Sequence, residues 1–411
     1  MGRIYGEDVP VTPAFPAAAG GKAVKVVKGG GKGLLLYIHV PFCKSRCHYC
    51  NFHSQAFNQV TFAWYHKLLL SEIELWGKRL KKPMLKTIYF GGGTPSLIPL
   101  QQLDQIMKAL GKHFEFSPAM EVTLEANPDS AQDVSYFRAL LSMGINRLSL
   151  GMQSLNDLEL HAMGRPHSAA MTFAAYDAAR QAGFGNIGVD LIWGLPGQRL
   201  KTWIDQLQTV ADMRPEHISA YNLTVETGTV MAKMLDEDGD FKLPPEQEQG
   251  RMFIYGAEFL ESVGYMHYEV SNFARMGFMS VHNSGYWDGS DYLGLGPSAV
   301  STIGRRRFNN PRYMDEYDAY VRGGLVGNDH EELTDNDLLK EMVMLSLRTS
   351  RGLDLKDFRK RTGFDLVKRK EQLISALHRE NLIRISHGFL RLTKNGMLVS
   401  NVIIRRLAFE E

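Results

Sequence analysis

The sequence has few cysteines and no long apolar run. Only three of its 411 residues are cysteine, at positions 43, 47 and 50. Such a small, odd number does not build a disulfide framework, so metal or redox chemistry explains these residues better. No stretch approaches the roughly 18 consecutive apolar residues of a membrane-spanning helix. Residues 1–32 also lack the apolar block of a secretory signal. We therefore expect a cytoplasmic protein.

An excess of charge of either sign is also missing. The formal net charge is +2, and a balanced total gives no reason to propose nucleic-acid binding. At about 150 residues per domain, the length allows two or three domains. We expect a flexible tail over 1–32, a core over 33–230, an extension of that core over 231–330 and a C-terminal domain over 331–411.

Short apolar segments alternate with segments of helical periodicity over the first half of the chain. The predicted strands are 34–40, 87–90, 121–124, 147–150, 187–192 and 217–221. The predicted helices between them are 61–80, 100–113, 133–143, 169–182 and 200–213. Such alternation indicates right-handed βαβ units and a parallel sheet. The predicted fold class is therefore α/β, a partial (β/α)6 barrel of the TIM type.

The last 80 or so residues follow a different pattern. Residues 338–347 and 367–377 are predicted to form amphipathic helices, and 382–385 with 389–392 are predicted to form a hairpin. Helices followed by a hairpin are typical of a winged-helix-like α+β domain. We expect it to serve in docking or as a lid rather than in DNA binding, because fold alone does not set function.

Polar or glycine residues follow each predicted strand. They include the triple glycine at 91–93, Glu125, Gln153 and Asp190. Because the carboxyl ends of the strands form the active face of a parallel barrel, we expect these residues to line one bowl. Each of them alone is equally consistent with a loop residue or a helix cap, and the triple glycine with a plain tight turn.

The cysteine loop directly follows the first predicted strand. Cys43, Cys47 and Cys50 supply three soft thiolates, the ligand type that iron-sulfur clusters require. A 4Fe-4S cubane held by three thiolates keeps one iron open. The amino and carboxylate groups of S-adenosylmethionine (SAM) can chelate that iron. An electron from the cluster can then cleave the sulfonium of SAM and release a radical. The alternative is a zinc site that takes its fourth ligand from His39, His48 or His53.

Four segments together resemble a known family. Residues 37–43, 47–50, 89–95 and 294–296 are similar to the radical SAM family that contains oxygen-independent coproporphyrinogen III oxidase and the HemW-type haem chaperones. The similarity runs from about Leu34 to the C-terminus and implies a SAM radical barrel. The SAM contacts that it implies are Tyr37, Tyr49, Gly92, Gly93, Thr94, Glu125, Gln153, Arg165, Asp190, Thr224 and Val300.

Within this family, the chain more closely resembles the haem chaperones. Phe52 stands where the oxidase has a fourth cysteine, and residues 268–275 and 282–287 are similar to chaperone segments. The resemblance implies haem binding, with His282 as a candidate haem ligand. A hydrogen-bonded packing role for this histidine is the alternative. Val281 stands where an arginine is expected, which removes one possible contact with a haem propionate.

The resemblance also implies partners. These are haem or a porphyrin, apo-haemoproteins that receive it, and an electron donor. Peripheral association with the inner face of the membrane and assembly as a homodimer are left open. Whether the chain is an enzyme stays open too. If it is one, it is an oxidoreductase acting on coproporphyrinogen III or a radical SAM methyltransferase that degrades haem anaerobically.

Overall fold

The computed structural model describes residues 33–237, 239, 241–325, 330–363 and 365–409. The tail predicted over 1–32 lies outside these residues. Among the described residues, no helix combines the length and the apolar character needed to span a membrane.

The strands of the described residues are numbered in chain order. The longer ones lie in the first half of the chain, between helices, and those of the second half are short. They are β1 (Leu34–Val40), β2 (Phe42–Cys43), β3 (Gln55–Ala56), β4 (Met84–Gly92), β5 (Glu115–Ala126), β6 (Arg147–Gln153), β7 (Ile187–Trp193), β8 (His217–Asn222), β9 (Met266–Glu269), β10 (Asn272–Ala274), β11 (Tyr292–Leu295), β12 (Val300–Ile303), β13 (Arg306–Asn309), β14 (His330–Glu332), β15 (Leu353–Asp354), β16 (Ile383–Ser386) and β17 (Phe389–Leu392).

The helices are numbered in the same way. They are α1 (Gln59–Arg79), α2 (Leu100–His113), α3 (Val134–Ser142), α4 (Asp157–Ala162), α5 (Ala169–Ala182), α6 (Leu200–Met213), α7 (Val230–Glu237), α8 (Glu246–Ser262), α9 (Val281–Trp287), α10 (Met314–Arg322), α11 (Asp335–Leu347), α12 (Leu355–Thr362), α13 (Leu366–Arg369), α14 (Glu371–Arg379), α15 (Lys394–Leu398) and α16 (Ser400–Ala408).

One large sheet organises the first three quarters of the chain. Its strand order is β14-β13-β12-β11-β1-β4-β5-β6-β7-β8-β10-β9, and the run from β11 to β8 is parallel. The outer strands on both sides pair antiparallel, so the sheet ends in two edges and is a partial barrel. The predicted α/β fold class is confirmed, and all six predicted strands lie within observed ones.

The two faces of the sheet have different chemistry because side chains alternate along a strand. On β1, Leu36, Ile38 and Val40 belong to the apolar core that packs against the surrounding helices. Tyr37 and His39 lie on the other face, where the Tyr37 hydroxyl is 3.1 Å from Nδ1 of His39. The inner face of the barrel is therefore aromatic and polar.

Helix α9 packs on this inner face. The backbone amides of Val281 and His282 donate to the two carboxylate oxygens of Glu121 on β5, at 3.0 and 2.9 Å. Gly285 lies so close to β1 that a Cβ atom there would be 2.3 Å from a methyl carbon of Leu35. The amino-terminal halves of β1, β4 and β5 are thus covered from inside by α9.

The C-terminal residues form a second group of buried side chains, from Leu333 to Ala408. A three-stranded sheet of order β15-β17-β16 lies beside α11–α16. The predicted hairpin corresponds to β16 and β17, which pair antiparallel, whereas the predicted helix 367–377 is divided into α13 and α14.

Candidate functional site

The cysteine loop leaves β1 and returns to form a closed structure. Strands β2 and β3 pair across its base, with the amide of Phe57 donating to the carbonyl of Cys43 at 2.9 Å. Within the loop, the Cys50 amide donates to the Cys47 carbonyl at 3.1 Å. All three thiols are free and partly buried. Burial raises the pKa of the Cys50 thiol, and the nearby sulfurs of Cys47 and Cys43 add to the rise. The fold thus brings the three sulfurs close together.

Three thiols on one short loop fit a cubane cluster. Among the described residues, no three His, Cys, Asp or Glu side chains are placed to hold one ion. The ring nitrogens of His39 lie within hydrogen-bond distance of the Tyr37 hydroxyl and the His53 carbonyl. Of the three histidines in the zinc alternative, His39 therefore has partners for both ring nitrogens. A cubane carries its irons at separate corners and takes one thiolate at each of three corners, which suits three separate thiols on one loop.

Arg165 connects the cysteine loop to the strand ends. Its Nη1 donates to Cys47 Sγ at 3.3 Å, and its Nη2 donates to Asn127 Oδ1 at 2.7 Å and to the Gly151 carbonyl at 3.1 Å. The Asn127 amide in turn donates to the Thr94 hydroxyl at 3.1 Å. One cationic side chain therefore links the cysteine loop to residues at or near the ends of β4, β5 and β6.

The triple-glycine loop packs directly against the backbone of the cysteine loop. Gly93 donates its amide to the Val40 carbonyl at 2.8 Å, and Thr94 donates to the Phe42 carbonyl at 2.7 Å. A Cβ atom at Gly93 would lie 2.5 Å from the Phe42 carbonyl oxygen. Gly92 has a φ of +110°, and a Cβ atom there would meet the His39 ring at 2.5 Å. These glycines are required by close approach and are not a generic turn.

We predict that Gly93→Ala lowers the free energy of unfolding by about 3 kcal/mol, because the clash is with backbone that cannot rotate away. Gly185→Ala is the matched control, since a Cβ atom there meets nothing within 4 Å and should change stability by no more than about 0.5 kcal/mol. Urea unfolding of the cluster-free protein measures both. Equal stability of the two variants would contradict the tight packing.

Two partly buried carboxyl groups face the bowl beyond these loops. Glu125 accepts hydrogen bonds from the Tyr89 hydroxyl at 2.8 Å and the Gly92 amide at 3.2 Å. Burial raises the pKa of Glu125 to about 7, and the nearby Asp190 contributes to the rise. Asp190 accepts from the Ser149 hydroxyl at 2.8 Å, and burial raises its pKa as well. A bound cation would stabilise the ionised form of both groups.

The other residues predicted to contact SAM lie around this bowl. Tyr37 stacks on Tyr89 with ring centroids 6.2 Å apart, and Gln153 ends β6 with a φ of +63°. Tyr49 is partly buried beside Arg165. Thr224 is exposed just after β8, and Val300 is exposed at the start of β12.

Sequence reasoning missed a buried arginine at the base of the bowl. Arg147 begins β6 with 1% of its surface exposed, and its Nε and Nη1 have no hydrogen-bond partner among the described residues. Its charge acts on Glu125, Asp190 and His282. The only signal in the sequence is a charged residue at the start of an otherwise apolar strand.

His282 is enclosed in the inner face of the barrel. Only 1% of its surface is exposed. Its Nδ1 lies 2.7 Å from the Thr87 hydroxyl and its Nε2 lies 2.9 Å from the Tyr286 hydroxyl, while the ring stacks on Tyr89 at 4.9 Å. Burial lowers the pKa of His282 to about 3. Binding of haem iron at Nε2 would require the Tyr286 contact to break and the buried ring to become accessible.

Two family profiles match the chain. The Radical SAM superfamily matches residues 37–210, and the HemN C-terminal domain matches residues 333–399.

Similar proteins cover almost the whole chain. The heme chaperone HemW of Bacillus subtilis is 34% identical over 89% of this chain and 97% of that protein. Radical S-adenosyl methionine domain-containing protein 1, mitochondrial, of Bos taurus is 32% identical, covering 92% of this chain and 88% of that protein. Among solved structures, coproporphyrinogen III oxidase (HemN) from Escherichia coli matches with a TM-score of 0.80 and 24% identity, covering 97% of this chain and 96% of that one.

Proposed function

This chain belongs to the radical SAM family of the heme chaperone HemW, and from that membership we propose that it binds haem and delivers it to apo-haemoproteins. The observation that carries this proposal is the 34% sequence identity with a heme chaperone, which extends over 89% of this chain and 97% of that protein. Phe52, at the position where the oxidase carries a fourth cysteine, supports the same proposal.

We propose that Cys43, Cys47 and Cys50 hold a 4Fe-4S cluster and that the bowl binds SAM. When bound, the two cofactors supply one-electron chemistry. Arg165 holds the Cys47 sulfur in place through its 3.3 Å contact. Glu125 and Asp190 provide negative charge for a sulfonium nucleotide, and their partial burial strengthens that attraction relative to bulk water.

The remaining partners in this proposal are an electron donor for the cluster and haemoproteins that receive the haem. We also propose a cytoplasmic location with peripheral association at the inner face of the membrane, and assembly as a homodimer.

An anaerobic comparison of the reconstituted protein tests the proposal. We expect a haem titration to saturate at a defined ratio to protein with a Soret band unlike that of an unrelated protein such as albumin. The same preparation, given coproporphyrinogen III, SAM and a reductant, should not decarboxylate it. Decarboxylation would favour the oxidase, and conversion of haem itself to an opened product would favour the methyltransferase. Either result would overturn the chaperone proposal.

A further inference from the structure

An exposed cluster of aromatic and basic side chains lies beside the cysteine loop. It combines Arg46, Phe52 and His53 of that loop with Arg312 and Tyr313, which precede α10, and we call these five residues the rim patch. Phe52 is 58% exposed and Tyr313 is 59% exposed. Isolated exposed aromatic residues are common. Here Tyr313 contacts His53, and Phe52 is the chain neighbour of His53, so two exposed rings and two arginines share one surface.

Contacts between the two segments give the rim patch a defined shape. Nε of Arg312 donates to Nδ1 of His53 at 3.1 Å, and its guanidinium lies 6.0 Å from the centroid of the Tyr313 ring. The rings of His53 and Tyr313 are perpendicular, with centroids 6.5 Å apart. On the loop side, Nε of Arg46 donates to the Cys50 carbonyl at 3.3 Å. Two separate parts of the chain are therefore held together around His53.

The chemistry of the rim patch matches that of haem. Haem is a flat, apolar ring with two propionates on one edge and an iron at its centre. Aromatic rings provide a face on which a flat ring stacks, guanidinium groups pair with carboxylates, and neutral imidazole is an iron ligand. Partial burial and the charge of Arg312 lower the pKa of His53, which favours the neutral ring that binds iron.

We propose that the rim patch is the haem site, with Phe52 and Tyr313 against the ring, Arg46 and Arg312 on the propionates, and Nε2 of His53 on the iron. This inference rests on the proposed haem-chaperone function. Iron binding at Nε2 places the ring proton on Nδ1, so Arg312 must release that nitrogen. The released guanidinium then becomes available to a propionate, which couples iron binding to propionate binding.

Two other places are less suitable. Both ring nitrogens of His282 are within hydrogen-bond distance of hydroxyl groups, and the side chain is buried. A groove on the outer helices is lined by Leu200, Ile204, Arg251, Tyr255 and Phe259 but contains no histidine. Its Tyr255 is 50% exposed and Arg251 is also exposed, so these two residues provide matched controls for Tyr313 and Arg312.

The test uses haem titration of the full-length chain with optical and EPR detection of the axial ligand. Variants are compared only if they reconstitute with the iron content of the wild type. We expect His53→Ala to lose the histidine-ligand signature and to bind haem about tenfold more weakly. His282→Gln should keep the histidine-ligand signature and the wild-type affinity for haem. Combined Arg46→Gln and Arg312→Gln should weaken binding about tenfold, with reduced salt dependence.

The control variants Arg251→Gln and Tyr255→Ala should bind haem as the wild type does, and Tyr313→Ala should bind it more weakly. Loss of the histidine signature in His282→Gln with retention in His53→Ala would overturn the inference, as would unchanged binding in all rim-patch variants. If the wild type binds no haem, the proposed function itself fails, so the two failures are distinguishable.

Discussion

Cys47→Ser is expected to abolish assembly of the iron-sulfur cluster. The chain has three cysteines, and all are needed if the cubane is held at three corners. Cys47 is also the sulfur that accepts the Arg165 hydrogen bond at 3.3 Å. A serine hydroxyl is nearly the same size but is a hard ligand that stays protonated at neutral pH, so it replaces a soft thiolate poorly.

Iron and acid-labile sulfide per chain, measured after anaerobic reconstitution, check this prediction. We expect about four of each in the wild type and almost none in Cys47→Ser. Ser45→Ala is the matched control, because Ser45 is exposed in the same loop and its hydroxyl is not a proposed ligand. A Cys47→Ser protein with full iron and sulfide would show that the cluster is held in another way.

The sequence predicts the barrel well because its signals are local. The segments predicted as 100–113, 169–182 and 200–213 correspond to α2, α5 and α6 at both ends. At α5, Ser168 caps the amino terminus and Gly183 ends the helix in the left-handed conformation, both of which are readable from residue type. Strands buried on both faces read as continuous apolar runs, so β1 was predicted with its observed bounds.

The position of α9 could not be predicted from such signals. It has seven residues, too few for a helical period, and its place inside the barrel depends on Glu121, which is 160 residues earlier in the chain. The same is true of the rim patch, in which His53 and Arg312 are 259 residues apart. Sequence alone therefore predicts His282 as a haem-ligand candidate without its burial, and identifies His53 only as a candidate zinc ligand.

The affinity for SAM should fall about tenfold when the pH is lowered from 8 to 6, as Glu125 takes up a proton. In the free protein, burial first and then the nearby Asp190 raise the pKa of Glu125 to about 7. A sulfonium cation in the bowl favours the carboxylate form. SAM therefore binds best above pH 7, where Glu125 is already ionised, and below pH 7 its binding must displace a proton.

The sign follows from the direction of the pKa change. Binding lowers the pKa of Glu125 from its raised value, so affinity is constant well above pH 7 and decreases as the pH falls through it. At pH 6 about one molecule in ten carries an ionised Glu125, which sets the tenfold decrease. Calorimetry at pH 6 in two buffers that differ in ionisation enthalpy should detect close to one proton released per SAM bound.

Glu125→Gln separates this effect from other titrating groups, including those of SAM itself. The variant should bind SAM more weakly at pH 8 and lose the part of the pH dependence that Glu125 causes. Glu72→Gln is the matched control, because burial also raises the pKa of Glu72 to about 7. Its carboxyl group accepts from Tyr317, Asn310 and the Gly296 amide, none of which is a predicted SAM contact. If Glu125→Gln retains the wild-type pH dependence, the charge that attracts the sulfonium lies elsewhere, with Asp190 as the next residue to replace.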